Sequence, residues 1–200
     1  MNISTRTPFC QRRLSLVVSV TALLGWLTAC TNVPPSAKSS QSAWTIFTDY
    51  AGGFSVLMPM RPQESTIEQP STDGPPVKRH QFIVDPDPSI ELGVIYNDFS
   101  ISLPNIQTVG SPSFFDIIQE AVLKQLGGRL IRASDGQFAS YPMREIRFEV
   151  PEKKVLYQIR IIVVKHRMYQ LMIASSLNLD VSHEADTLFN SFHLLYDERQ

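Results

Sequence analysis

Apolar residues fall into short alternating runs along most of this chain, with two stretches of helical spacing between them. Residues 44–48, Trp-Thr-Ile-Phe-Thr, are β-rich and predict an opening strand. After a turn at Gly52 and Gly53, residues 54–58 alternate Phe, Ser, Val, Leu, Met and stop at Pro59. That pattern predicts a strand ended by a residue that cannot donate to a ladder. Pro62 and the proline-bounded stretch 70–76 read as loops. Residues 78–84 and 90–99 are further strands, joined by Asp85-Pro86-Asp87-Pro88, whose chemistry is that of a turn.

Ser111 followed by Pro112 is a helix start, a capping hydroxyl with proline at the first helical position. Phe114, Ile117, Ile118, Ala121 and Val122 repeat at the spacing of a core-facing stripe. Asp116 lies near the positive end of that helix, Glu120 and Lys124 are four apart, and Gly127-Gly128 supplies the stop. Near the other end of the chain, Ala185, Leu188, Phe189 and Phe192 mark an amphipathic closing helix, with Glu184 and Asp186 early in it.

Hairpins lie between the helices. Residues 144–150 put Ile146, Phe148 and Val150 on one face and Glu145, Arg147 and Glu149 on the other. Residues 151–154 are a four-residue turn. If Val150 pairs with Val155, Phe148 faces Tyr157, Ile146 faces Ile159 and Glu145 faces Arg160. The aromatic and charged pairs are both favourable across strands. Residues 159–164 are almost continuously apolar, as in a strand covered on both faces. Lys165-His166-Arg167 then turns into a strand over residues 168–174. The predicted fold is α+β: a mostly antiparallel sheet of about five to seven strands flanked by helices, a sandwich because one central strand is covered twice. It occupies residues 43–200 as a single domain.

Composition narrows the function classes. The chain has 200 residues, 43% of them hydrophobic and 18% charged, enough to build a buried core. Eighteen basic residues stand against 19 acidic ones, so the electrostatic footprint of a nucleic-acid binder is absent. Two cysteines exclude a disulfide-rich scaffold.

The amino terminus carries chemistry of another kind. Arg6, Arg12 and Arg13 form a basic head, followed by an uncharged run over residues 14–29. A bilayer-spanning helix needs roughly 20 apolar residues and a secretory core only about 7–15. The run ends in Leu27-Thr28-Ala29-Cys30, which resembles the bacterial lipobox. The resemblance implies that residues 1–29 are a lipoprotein signal peptide, removed before Cys30, whose sulfur receives acyl chains, palmitate among them. Residues 31–42, TNVPPSAKSSQS, are small, polar and proline-containing, so 30–42 reads as the lipidated cysteine and a flexible tether. Loss of the three arginines leaves 15 basic against 19 acidic residues. A mildly acidic surface is not drawn to anionic headgroups, so the lipid would have to hold the protein to the membrane. Cys10 goes with the signal and an acylated Cys30 has no thiol, which leaves no cysteine for disulfides, metal ligation or redox chemistry.

Three stretches of the domain form a pattern together: residues 50–59 (YAGGFSVLMP), Arg144-Glu145-Ile146, and residues 167–171 (RMYQL) with Phe189-Asn190-Ser191-Phe192 closing. They resemble uncharacterised bacterial extracytoplasmic proteins, common in cyanobacteria and planctomycetes, and through them the PsbP-like α/β/α sandwich superfamily. That superfamily includes extrinsic photosystem II proteins and small lipoproteins of the DcrB type. The resemblance spans most of residues 44–195. Its matching residues are aromatic and aliphatic, so it implies a fold and carries over no functional residue. It further implies a non-catalytic accessory or assembly role beside a membrane complex.

Other chemistry finds little support. Ser55 sits in Gly-Phe-Ser-Val-Leu, without the second glycine of a nucleophile elbow, and reads as an exposed strand residue. The glycine pairs lack the Lys-Ser/Thr of a phosphate loop. His80, His166, His183 and His193 have no metal-ligand spacing. Asp85, Asp87, Glu91, Asn97 and Asp98 are acid-rich enough for a hard cation, but prolines already explain a solvated turn there. Lys153-Lys154 and Lys165-His166-Arg167 read as solvated turns at opposite ends of one strand, and the aromatics, Tyr50 included, read mainly as core. The expectation is therefore a protein held to an extracytoplasmic membrane face, periplasmic or thylakoid-lumenal, by lipid on Cys30. It is not an enzyme, has no cofactor, metal or catalytic residue, binds no nucleic acid, and docks onto a membrane-protein complex. The alternative is a module for a small ligand, lipid or cation.

Overall fold

The structure, a computed structural model, describes residues 43–69, 76–98 and 110–195. The targeting segment, Cys30, the tether and the loop at 70–75 lie outside the described residues. Among the described residues, ten strands and two α-helices follow in chain order: β1 (Thr45–Asp49), β2 (Phe54–Met58), β3 (Gln63–Gln69), β4 (Val77–Asp87), β5 (Ile90–Asp98), α1 (Pro112–Leu126), β6 (Arg129–Phe138), β7 (Tyr141–Val150), β8 (Val155–Val164), β9 (Arg167–Ser176), α2 (Ser182–Asn190) and β10 (His193–Leu194). Seven strands form one antiparallel sheet in the order β3-β4-β5-β9-β8-β7-β6, and β1-β2-β10 form a second, smaller one. The large sheet is thus two meanders joined where β5 pairs with β9.

Burial explains the layering. In β9, the middle strand, Met168 to Ser175 are all buried, because both faces of the sheet are covered. On one face Leu171, Ile173, Tyr169 and Ile162 pack with Phe54, Val56 and Met58 of β2 and with Ala185, Leu188 and Phe189 of α2. On the other, Ile161, Val163, Met168 and Met172 join Ile146, Phe148 and Val150 with Phe115 of α1. One covering layer is therefore a helix, and the other a helix together with the small sheet.

The β7–β8 register is the predicted one: Val150 faces Val155, Phe148 faces Tyr157, Ile146 faces Ile159 and Glu145 faces Arg160. The Phe148 and Tyr157 rings stack at 5.0 Å. Their turn is a single 3-10 turn over Pro151–Lys153, closed by Lys154 in the left-handed region. The α1 ends are also as predicted. The Ser111 hydroxyl accepts from Phe114 N, and Gly127, at φ 68°, ends the helix.

Four expectations need correction. The buried stripe of α1 is centred on Phe115, with Ile118, Val122, Leu123 and Leu126 packed beside it, whereas Ile117 is 68% exposed and Ala121 is exposed. Arg144 draws the helix N-terminus onto β6 and β7, and so sets its rotation. β4 continues through Asp85 and Pro86 to Asp87, with a register slip after Val84, and the turn falls at Pro88-Ser89. The slip accommodates a proline that has no N–H to give the ladder. Tyr50 is 75% exposed, in the β1–β2 turn. Finally, β3 and β6 are strands that alternation did not mark. Their described side chains are nearly all exposed, the apolar Ile67, Leu130 and Ile131 included, and pairing at the sheet's two edges makes them strands.

Candidate functional site

Each of three neighbouring strands of the large sheet contributes one arginine, and each arginine fastens a different covering element. Arg144 of β7, with its side chain only 7% exposed, donates from Nε and Nη2 to Asp135 of β6 at 2.6 and 3.0 Å and from Nη1 to Asp116 of α1 at 2.5 Å. Its guanidinium also lies 5.5 Å from the Phe115 ring centre. Arg160 of β8 donates to Glu145 at 2.6 and 2.8 Å and to the Phe189 carbonyl of α2 at 2.9 Å.

Arg167, at the start of β9, holds the β1–β2 turn. It grips Asp98 with two nitrogens at 2.5 and 2.8 Å and donates to the carbonyls of Ala51 and Gly52 at 2.9 and 2.8 Å. It stacks 4.7 Å over the Tyr96 ring, and the Tyr169 hydroxyl donates to the same Gly52 carbonyl at 2.6 Å. Gly52 must be glycine for this approach, since a Cβ would sit 2.5 Å from Asp49 Oδ2 and 2.7 Å from Tyr96. The expected solvated turn is thus limited to Lys165 and His166, and Arg167 is a structural clamp. Its hydrogen bonds hold Asp98 below the usual carboxylate range, and burial, then the charge of Asp49, push Tyr96 up to about 12.

The acid-rich stretch is divided. Asp85, Asp87 and Glu91 sit at one end of the β4–β5 hairpin, and Asn97 and Asp98 at the other. Asp87 accepts from Ser89 N at 2.8 Å, and burial, then Asp85, raises Glu91. Among the described residues no three His, Cys, Asp or Glu side chains gather closely enough to share a metal ion. His80 stacks on Tyr96 at 4.6 Å and faces Thr66 Oγ1 at 3.1 Å, while His166, His183 and His193 are exposed at separate places.

The outward face of the small sheet lines a groove of about 460 Å³. Ile46, Ser55, Leu57 and His193 come from the strands, and Asp186, Thr187 and Asn190 from α2. Ile46 is opposite Leu57 and Ser55 opposite both Thr48 and His193. The Ser191 hydroxyl, accepting from Leu57 N at 3.0 Å, ties the end of α2 to the sheet. Ser55, His193 and Asp186 thus share a groove, and Ser55 and His193 are ladder partners, yet among the described residues no side-chain hydrogen bond joins Ser55 to His193 or His193 to Asp186. A serine oxygen is activated through a side-chain hydrogen bond to its base, which is in turn oriented by a third group, and that chain of bonds is not formed among these described side chains. What the groove offers is apolar: Ile46, 75% exposed, on a strand pair facing solvent. Ile46 adjoins Phe47 in β1, and the sequence gives no signal for which of the two faces solvent, because that face is set by pairing with β2.

No protein-family model matches the chain, and no curated protein matches it significantly in sequence. Solved structures do match. The solution structure of cyanobacterial PsbP, CyanoP, from Synechocystis sp. PCC 6803 superposes with a TM-score of 0.50 at 14% identity, over 84% of this chain and 98% of that one. A protein of unknown function from Pseudomonas aeruginosa superposes at 0.36 and 7% identity, over 71% of this chain and 88% of that one. The likeness to CyanoP makes the fold PsbP-like. Among the described residues no helix is long and apolar enough to cross a membrane.

Proposed function

We propose that this protein is a lipid-anchored, extracytoplasmic accessory protein that docks onto a membrane complex and catalyses no reaction. The observation that carries the reading is the order at the amino terminus: basic head, apolar core, Leu27-Thr28-Ala29-Cys30, then a polar tether. Two or more acyl chains on one cysteine hold a domain to a bilayer stably, whereas one does so only marginally. The site chemistry supports docking over catalysis, since Arg144, Arg160 and Arg167 are all engaged in holding the fold. Ile46 and the groove around it supply an apolar contact surface with a polar rim.

Expressing the chain and its Cys30→Ser variant in a bacterial host tests the anchor. The parent should gain acyl mass and float with vesicles, and the variant should do neither. An unacylated parent that stays in the soluble fraction refutes the anchor. A photo-crosslinker at Ile46 tests docking in native membranes: subunits of one complex should be captured, and a yield of only abundant bystanders refutes it.

A further inference from the structure

α2 leaves part of the large sheet uncovered beyond Phe189, and two cavities of about 180 and 290 Å³ adjoin there, sharing Arg147 and Gln158 in their walls. Register places Arg132 of β6 directly opposite Arg147 of β7, and Ser134 opposite Glu145. Two like charges directly across a strand pair repel. The carboxylates around them make their hydrogen bonds elsewhere, Asp180 reaching Arg147 through its charge alone. Glu145 accepts from Arg160, Glu149 from Arg129 at 2.5 Å, and Asp180 from the backbone and hydroxyl of Ser182 at 3.0 and 2.7 Å. Among the described residues no carboxylate is hydrogen-bonded to Arg132 or Arg147. The first cavity adds the polar side chains of Ser134 and Gln158, and the second is lined by Leu177 and Leu179, 37% and 38% exposed, over the buried Leu156, with Asn178, Asp180 and Ser182 as its polar wall.

We propose that this groove binds a phosphate-bearing amphiphile, its phosphate held between Arg132 and Arg147 and its apolar chain laid on Leu156, Leu177 and Leu179. Guanidinium groups present planar forks that match phosphate oxygens, and an anion between them turns a repulsive pair into two attractive ones. The three leucines give the chain a surface that a free phosphate would leave unused. The inference is independent of the docking reading, which concerns the opposite side of α2.

The test is calorimetric titration of the full chain in a nonionic detergent with hexyl phosphate, and separately with inorganic phosphate, subtracting the heat of empty micelles. Hexyl phosphate should bind at least tenfold more tightly than inorganic phosphate. The double variant Arg132→Gln/Arg147→Gln should weaken it at least tenfold, while Lys124→Gln, which removes one positive charge on α1, should leave it within twofold. Arg132→Glu should abolish binding and raise Tm, because it replaces a repulsive cross-strand pair with an attractive one, and that rise shows the variant is folded. Hexyl phosphate binding that survives the double variant, or binding retained by Arg132→Glu, overturns the proposal. Equal affinity for inorganic phosphate overturns the amphiphile and assigns the groove to free phosphate.

Discussion

Replacing Arg144 with methionine removes the clamp between α1 and the β6–β7 hairpin while keeping most of the apolar stem. The wild-type guanidinium makes two hydrogen bonds to Asp135, at 2.6 and 3.0 Å, and one to Asp116 at 2.5 Å, with its own side chain 7% exposed. Hydrogen bonds to charged groups contribute about 1.5–3 kcal/mol each. Breaking a buried pair costs about 3–5 kcal/mol when the orphaned partner stays buried. Here it does not: Asp116 and Asp135 are 59% and 49% exposed, so water takes over much of what the arginine gave them. The expected loss is therefore about 2–3 kcal/mol, below that of a buried orphan. For a chain of this size it corresponds to a fall in Tm of about 5–10 °C.

Urea unfolding should show a lower midpoint at unchanged m-value, because the same surface is exposed in both. The pH dependence gives a second reading. Arg144 holds Asp135 below its ordinary value of 3.8, so Asp135 contributes stability above that value and loses it as pH falls through its lower folded value. Below about pH 4 the variant should lose stability less steeply than the parent. A loss under about 0.5 kcal/mol, the range of an ordinary surface substitution, would refute the clamp, as would an unchanged acid limb.

Gly93→Ala should destabilise the domain by about 3 kcal/mol or more, since its Cβ would lie 2.1 Å from the Phe82 carbonyl oxygen inside the sheet; thermal unfolding within a degree or two of wild type would count against the β4–β5 pairing. In a spectrophotometric alkaline titration, Tyr96→Phe should remove a component ionising near pH 12. In the parent, stability should fall as pH rises above about 10, where unfolded tyrosine ionises and Tyr96 in the fold does not. A fluorophosphonate probe should leave Ser55 unlabelled at neutral pH; mass-spectrometric labelling at Ser55 would show an activated hydroxyl and argue for catalysis.

Much of this fold was legible because its signals are local. Ser111, Pro112 and Gly127 define a helix by satisfying or ending its backbone hydrogen bonds within one turn. The 3-10 turn at Pro151–Lys153, together with alternation on either side, left one register for β7 and β8, since a one-residue slip would expose Ile146, Phe148 and Val150. Ala185, Leu188 and Phe189 are buried on α2 where helical spacing put them, whereas Phe192, expected in the same helix and also buried, lies past its end at Asn190, in the chain leading into β10. By contrast, Ile117 satisfies the same spacing and is exposed, because spacing gives a stripe's width and leaves its rotation to whatever the helix meets.

The sequence by itself determined a doubly covered antiparallel sheet, the ends of α1, the closing helix and the β7–β8 register, because alternation, caps and turns act over a few residues. Only the tertiary structure decided that the largely polar Gln63–Gln69 and the mixed, exposed Arg129–Phe138 are edge strands. It alone showed that Arg167 meets Asp98 across 69 residues. It also set Arg132 beside Arg147 above an open groove. Those facts depend on which distant segments pack against each other, and no short window of sequence contains both partners.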